Sequence, residues 1–116
     1  MDVYQIHCNL KPGVRDTEFV NDLKAYLERL RSEGRLEGFR VLRAKLGFRP
    51  GELREFQIAL EFRDLAQLDL AFGRVAARAE PIESLHHAVN AKVCDVYFAL
   101  YRDFPDAVRT HGEETF

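Results

Sequence analysis

Apolar and polar side chains alternate strictly through the segment from Glu55 to Phe62. A period of two residues is typical of a β-strand that buries one face. The other face of such a strand meets water, a ligand or a partner. The face predicted to be buried consists of Phe56, Ile58, Leu60 and Phe62, and the opposite face of Glu55, Gln57, Ala59 and Glu61.

The same alternation predicts three more strands, over residues 2–10, 38–48 and 93–101. The first of them ends at Pro12-Gly13, because Pro and Gly together mark a turn. Pro50-Gly51 lies in the hairpin loop that we expect between the second and third strands. The sequence therefore predicts a sheet of four strands.

Helical spacing of apolar residues separates these strands. It predicts a first helix over residues 17–33, with Asp16 as its N-cap and Gly34 at its C-terminal end. Asp64 and Gln67 have the spacing of a capping box, which begins a second helix that we expect to end near residue 79. A short third helix follows, with Pro81 in its first turn and an apolar edge of Ile82, Leu85 and Val89.

The element order is strand, helix, strand, strand, helix, strand, which is the ferredoxin-like βαββαβ arrangement of an α+β protein. Right-handed crossovers then give an antiparallel sheet in the order 4-1-3-2 with both long helices on one face. We expect this domain to occupy residues 1–102. Residues 103–116 are polar and aperiodic, so we expect a C-terminal tail or an arm that reaches a partner.

Composition narrows the class of protein. The chain has 116 residues, 47% of them hydrophobic, and a formal net charge of −2. That balance gives no electrostatic reason to expect a nucleic-acid partner. No apolar run approaches the length that spans a membrane, and the N-terminus lacks the pattern of a signal peptide. We expect a cytoplasmic protein in which Cys8 and Cys94 are reduced core thiols on the helix-facing side of the sheet.

The sheet face without helices is unusually apolar for a solvated surface. By alternation it presents Val3, Gln5, His7, Asn9, Phe39, Val41, Arg43, Lys45, Gln57, Ala59, Glu61, Asp95, Tyr97 and Tyr101. Large exposed apolar patches usually mark an interface. In its element order and in this apolar face, the chain resembles the dimeric α+β barrel superfamily.

That resemblance implies a homodimer in which two sheets pack together and enclose a cavity. It also implies a small organic ligand in the cavity, bound or transformed without a tightly held cofactor. No motif for a known chemistry is present, so the sequence leaves open whether the protein is an enzyme. The alternative is a structural or interaction module whose bare face serves only to pair protomers.

The candidate site lies at the sheet edge where the first and second strands end. We expect His7, Asn9, Lys45, Gln57 and Asp95 to meet there on the bare face. The short helix should bring His86 and Asn90 to the same place. His7 or His86 would act as the base, because an imidazole can accept a proton near neutral pH. The side chains of Asn9, Gln57 and Tyr97 would orient the ligand, with Lys45, Asn90 and Asp95 as further ligand contacts.

Plainer interpretations accompany these assignments. His7 and Tyr97 could serve only to pack the dimer interface, and Lys45 could form an ion pair there. We expect no metal site, because His86 and His87 are adjacent on a helix and therefore point about 100° apart. We expect no RNA-binding surface either, because the two central strands carry no aromatic residue on the bare face for base stacking.

Overall fold

The computed structural model describes residues 1–106 and 108. These residues form four strands and three helices in the predicted order. The strands are β1 (Asp2–Leu10), β2 (Gly38–Arg43), β3 (Phe56–Phe62) and β4 (Val93–Arg102). The helices are α1 (Asp16–Ser32), α2 (Leu65–Ala76) and α3 (Ile82–Asn90).

The sheet is antiparallel throughout, with strand order β2-β3-β1-β4. This confirms the predicted ferredoxin-like topology, since the order 4-1-3-2 is the same order given from the other edge. The core lies between the sheet and the helices. Its most deeply buried side chains include Phe19, Leu23, Leu27 and Leu30 from α1, and Phe56, Ile58, Leu60 and Phe62 from β3.

The ends of the two long helices follow local sequence signals. Asp64 is the predicted N-cap of α2, since its Oδ1 accepts a hydrogen bond from the backbone N–H of Gln67 at 2.9 Å. Gly34 follows α1 with φ of 74°, a left-handed conformation that favours glycine. The predicted cap of α1 is displaced by one residue. Arg15 occupies the N-cap position, and Asp16 is the first helical residue.

The predicted faces of β2 are wrong. Phe39 pairs with Leu60, Val41 with Ile58, and Arg43 with Phe56, and antiparallel partners point to the same side. These three β2 residues therefore lie on the helix-covered face and not on the bare face. The bare face of β2 presents instead Arg40 and Leu42, opposite Ala59 and Gln57.

The inversion has a physical cause. The apolar alternation continues from Leu42 through Leu46 to Phe48, but the strand ends at Arg43. Leu46 and Phe48 lie in the β2–β3 loop with 83% and 84% of their surface exposed. Counting them as part of the strand shifted the pattern by one residue, which exchanges the two faces.

A β-bulge changes the start of β4. The β1–β4 register shifts between His7 and Asn9, and Asp95 has a positive φ of 54°. Asn9 consequently pairs with Cys94, so Cys94 shares the bare face with Asn9. The prediction that both cysteines face the helices holds only for Cys8, which is fully buried. Both thiols are free, and burial raises the pKa of Cys8 to about 11.

The N-terminus of the chain lies beside the end of β4. Asp2 is buried and pairs with Arg102 through an Oδ1–Nε contact of 2.5 Å. Asp103 accepts from the N-terminal ammonium at 3.2 Å. Most of the predicted tail, residues 103–116, lies outside the described residues, so its role stays a prediction. Within the described part of the chain, no helix has the length and apolar character needed to cross a membrane.

Candidate functional site

A cavity of about 430 Å³ lies between the helices and the sheet. All three helices and strands β1, β3 and β4 contribute to its walls. Most of the lining is aliphatic or aromatic, including Ile6, Leu27, Ile58, Leu60, Val75, Val89 and Val96. The side chains with polar atoms in this lining are Tyr4, Cys8, Tyr26, His86 and Asn90. The volume and composition fit a site for a small organic ligand.

One wall of the cavity carries unpaired polar groups from α1 and α3. Tyr26 meets His86 edge-on, with ring centroids 5.4 Å apart, and Asn90 follows His86 by one helical turn. Within residues 1–106 and 108, the side chains of these three residues form no hydrogen bond with one another or with other groups. Burial raises the pKa of Tyr26 to about 12, with a further contribution from Tyr4, so the hydroxyl stays a donor at physiological pH.

Three aromatic side chains meet on the β1, β4 and α2 side of the cavity. Tyr4 stacks on Phe98 with centroids 5.7 Å apart and meets Phe72 edge-on at 5.2 Å. Phe72 and Phe98 also remain 46% and 58% exposed. Because both line the cavity and both reach solvent, they mark its opening, between α2 and β4.

The helix-free face carries a second cluster. His7 is paired with Gln57 on β3 and with Tyr97 on β4, and its ring stacks on Tyr97 at 4.7 Å between centroids. Arg54 lies over the Tyr97 ring at 5.2 Å and donates from Nε to the Asp95 carbonyl at 2.7 Å. The cluster therefore forms a layer of stacked rings and a guanidinium beside the bulge.

Asn9 connects two parts of this cluster through hydrogen bonds. Its Oδ1 accepts from the backbone N–H of Glu55 at 2.9 Å, and its Nδ2 donates to Asp95 Oδ2 at 3.2 Å. Both ends of the amide are thus engaged within the protomer. This use of Asn9 is typical of a residue that holds a loop and a bulge in place.

The predicted site residues fall into separate groups. His7, Asn9, Gln57, Asp95 and Tyr97 come together on the helix-free face, as predicted. His86 and Asn90 do not join them, because α3 packs against α1 on the opposite side of the sheet.

Lys45 belongs to neither group. It lies in the exposed β2–β3 loop, beyond the end of β2. The residues predicted to form one site therefore lie on opposite faces of the sheet and in a loop.

Several cavity residues escaped the sequence analysis. Tyr26 was hidden in the stripe of Leu23, Leu27 and Leu30, where its position at helical spacing was the available signal. Phe72 and Phe98 occupy apolar positions of α2 and β4, and their exposure depends on how far the helix layer extends over β4. The lining contains no group of three metal ligands, and no such group occurs elsewhere among the described residues.

Comparison with solved structures places the fold. A dabb-family protein with a ferredoxin-like fold from Mesorhizobium loti has a TM-score of 0.62 at 18% identity, covering 89% of this chain and 96% of that one. A dimeric ferredoxin-like protein of unknown function from Bacteroides fragilis has a TM-score of 0.58 at 15% identity, with 88% and 95% covered. SnoaB, a cofactor-independent oxygenase from Streptomyces nogalater, has a TM-score of 0.65 at 9% identity, with 93% and 98% covered.

At these identities the likeness concerns the fold alone, which is the ferredoxin-like fold of the Mesorhizobium and Bacteroides proteins. No curated protein matches the sequence. The chain belongs to the family described as "Family of unknown function (DUF6614)", whose profile matches residues 1–116.

Proposed function

We propose that this protein is a homodimer that binds a small organic molecule in the cavity beneath the helices of each protomer. The observation that carries the proposal is the 430 Å³ apolar cavity in which Tyr26, His86 and Asn90 have no hydrogen-bond partner among residues 1–106 and 108. None of the polar side-chain atoms of these three residues is both buried and unpaired, so these atoms are open to water, which a ligand in the cavity can replace as hydrogen-bond partner.

The same three groups could support proton transfer. His86 is the candidate base, and Tyr26, whose ring meets that of His86 edge-on, carries the protonated hydroxyl that is the candidate donor to a developing negative charge. SnoaB, which shares the fold, is described as a cofactor-independent oxygenase. That description is consistent with proton-transfer chemistry that needs only side chains and the ligand.

We assign the helix-free face to dimerisation. Val3, Leu42, Ala59, Ala99 and Tyr101 give this face apolar contact area, and Tyr101 is 63% exposed in the protomer. Burial of such a surface against a second copy would stabilise the dimer. In this assignment His7 and Tyr97 are interface residues. The two free thiols suit a reducing compartment, which supports a cytoplasmic location.

Equilibrium binding of Nile red, an uncharged fluorescent probe, tests the ligand function. Val75→Phe fills part of the cavity and should weaken binding by roughly tenfold or more, because packed cores tolerate little extra volume. Val20→Phe is the matched control, since Val20 is also half-buried but lies in the groove between α1 and β2. Val96→Phe offers a second blocking variant if the first one unfolds.

The alternative is a non-catalytic interaction module, favoured by the internally paired cluster around Asn9. It predicts no saturable Nile red binding to the wild-type dimer. Equal binding by wild type, Val75→Phe and Val96→Phe would also refute the cavity as the site.

A further inference from the structure

We propose, resting on the ligand function above, that the ligand is uncharged and carries one polar end, a hydroxyl or carbonyl, on an otherwise apolar body. The lining contains no Asp, Glu, Lys or Arg side chain. A carboxylate, phosphate or ammonium group placed inside would therefore lose its hydration without gaining a permanent counter-ion, since His86 is the one side chain of the lining that can become a cation. That loss is costly in an apolar environment.

Lys92, one of several cations adjacent in sequence to a lining residue, is already neutralised. Lys92 precedes the lining residue Val93, and its Nζ lies 2.6 Å from Asp22 Oδ2 and 3.9 Å from Glu18 Oε1. It also donates to the Ala88 carbonyl at 3.1 Å. Recruiting Lys92 to an anionic ligand would break this arrangement between α1 and α3. The paired lysine therefore offers an anion no compensation.

The polar side chains of the lining are concentrated on one wall of the cavity. Tyr26 and His86, both half-buried, stand with the exposed Asn90 on the α1–α3 wall, whereas Tyr4, Phe72 and Phe98 form an aromatic group between α2 and β4. Tyr26 can donate, and the Asn90 amide can donate and accept. A hydroxyl or carbonyl at one end of the ligand can form hydrogen bonds with the side chains of this wall, while the apolar body of the ligand occupies the rest of the cavity.

Displacement of Nile red by three naphthalene compounds tests this inference at neutral pH. β-Naphthol has an apolar body with one hydroxyl, naphthalene lacks the polar end, and β-naphthoate carries a charge. We expect β-naphthol to bind about fivefold more tightly than naphthalene, which corresponds to one net hydrogen bond. We expect β-naphthol to bind roughly tenfold or more tightly than β-naphthoate, because the carboxylate finds no partner in the cavity.

Variants locate the effect. Tyr26→Phe, His86→Phe and Asn90→Leu together should reduce β-naphthol to the affinity of naphthalene and leave naphthalene itself unchanged. The Ala25→Arg protein, altered on the outer surface of α1, should keep the wild-type preference.

Two outcomes overturn the inference alone. One is β-naphthoate binding as tightly as β-naphthol, and the other is a preference for β-naphthol over naphthalene that survives the triple variant. Failure of Nile red and of all three compounds to bind overturns the proposed function as well, so the two failures are distinguishable.

Discussion

The polar side chains on the two faces of the sheet differ in their hydrogen bonds and in their surroundings. On the helix-free face, Asn9 is engaged at both ends of its amide, by Glu55 and Asp95. On the helix-covered face, Tyr26 and His86 line an apolar cavity without a hydrogen-bond partner among the described residues. Not every polar side chain of the helix-free face is paired, because Gln5, His7 and Gln57 form no side-chain hydrogen bond among the described residues. The unpaired groups of the helix-covered face differ in that they stand in a cavity lined mostly by hydrocarbon.

This contrast teaches that enclosure in an apolar cavity, together with hydrogen-bonding state, distinguishes a candidate ligand site from a packing surface. Alternate residues of one strand serve both roles. Along β1, Tyr4 and Ile6 line the cavity, whereas Gln5 and His7 point to the other face. A polar cluster identified from the sequence can thus be structural, and a helix stripe that resembles ordinary core can hold the site.

Ala59→Arg should have the largest effect, on the helix-free face. Ala59 lies between Gln5 on β1 and Arg40 on β2, near the middle of the proposed interface. The variant places a second cation beside Arg40 in each protomer, and we expect the dimer to weaken by about 3 kcal/mol, or roughly a hundredfold.

Sedimentation equilibrium measures this dissociation constant. Ala25→Arg, the same change on the outer surface of α1, should leave the dimer intact. An unaltered dimer in the Ala59→Arg protein would remove the helix-free face from the interface.

Removal of one polar group from each face should have unequal costs. Asn9→Ala leaves the Glu55 N–H and the Asp95 carboxylate without their partner, so we expect a loss of about 1.5 kcal/mol in unfolding free energy. Tyr26→Phe breaks no protein hydrogen bond, and we expect a change within about 0.5 kcal/mol. Urea unfolding compares the two, and equal losses would show that Tyr26 has a structural partner after all.

Glu33 should give a smaller loss than Ala59→Arg or Asn9→Ala, and one that depends on pH. It accepts hydrogen bonds from Arg29, Arg35 and Arg74, and the bond from Arg74 connects the end of α1 to α2. The hydrogen bond from Arg74, supported by Arg29 and Arg35, lowers its pKa from 4.5 to about 2. A lowered pKa stabilises the fold above the unfolded-state value, and that stabilisation is lost as the pH falls from about 4.5 towards 2.

Glu33→Gln should therefore cost about 1 kcal/mol at neutral pH, since solvent screens much of the ionic contribution. The difference from wild type should shrink between pH 4.5 and 2, the two ends of the pKa shift. Urea unfolding across this range measures it, and a difference that is constant with pH would contradict the role of the carboxylate charge.

Much of the fold follows from residue patterns because those patterns were long and unambiguous. The alternation in β3 and the helical stripe of α1 identified both elements and the core sides they bury. Short or interrupted patterns failed. The apolar alternation running past Arg43 into Phe48 inverted β2, and the bulge at Asp95 moved Cys94 to the other face.

The site was harder to predict because it depends on tertiary placement. Nothing local to His86 and Asn90 states which side of the sheet α3 will occupy. The partnership of Asn9 with Glu55 joins residues far apart in sequence, as does the contact between Tyr26 and His86. Whether a polar side chain is satisfied is a property of the packed molecule.

Sedimentation velocity with Nile red, recorded where only the probe absorbs, tests the central claim that the ligand lies under the helices and not between paired sheets. For wild type, the probe should sediment with the dimer. For Ala59→Arg, it should sediment with the monomer at the same occupancy per chain. Loss of the probe on dissociation, with the monomer still folded, would place the ligand between the sheets and contradict the account.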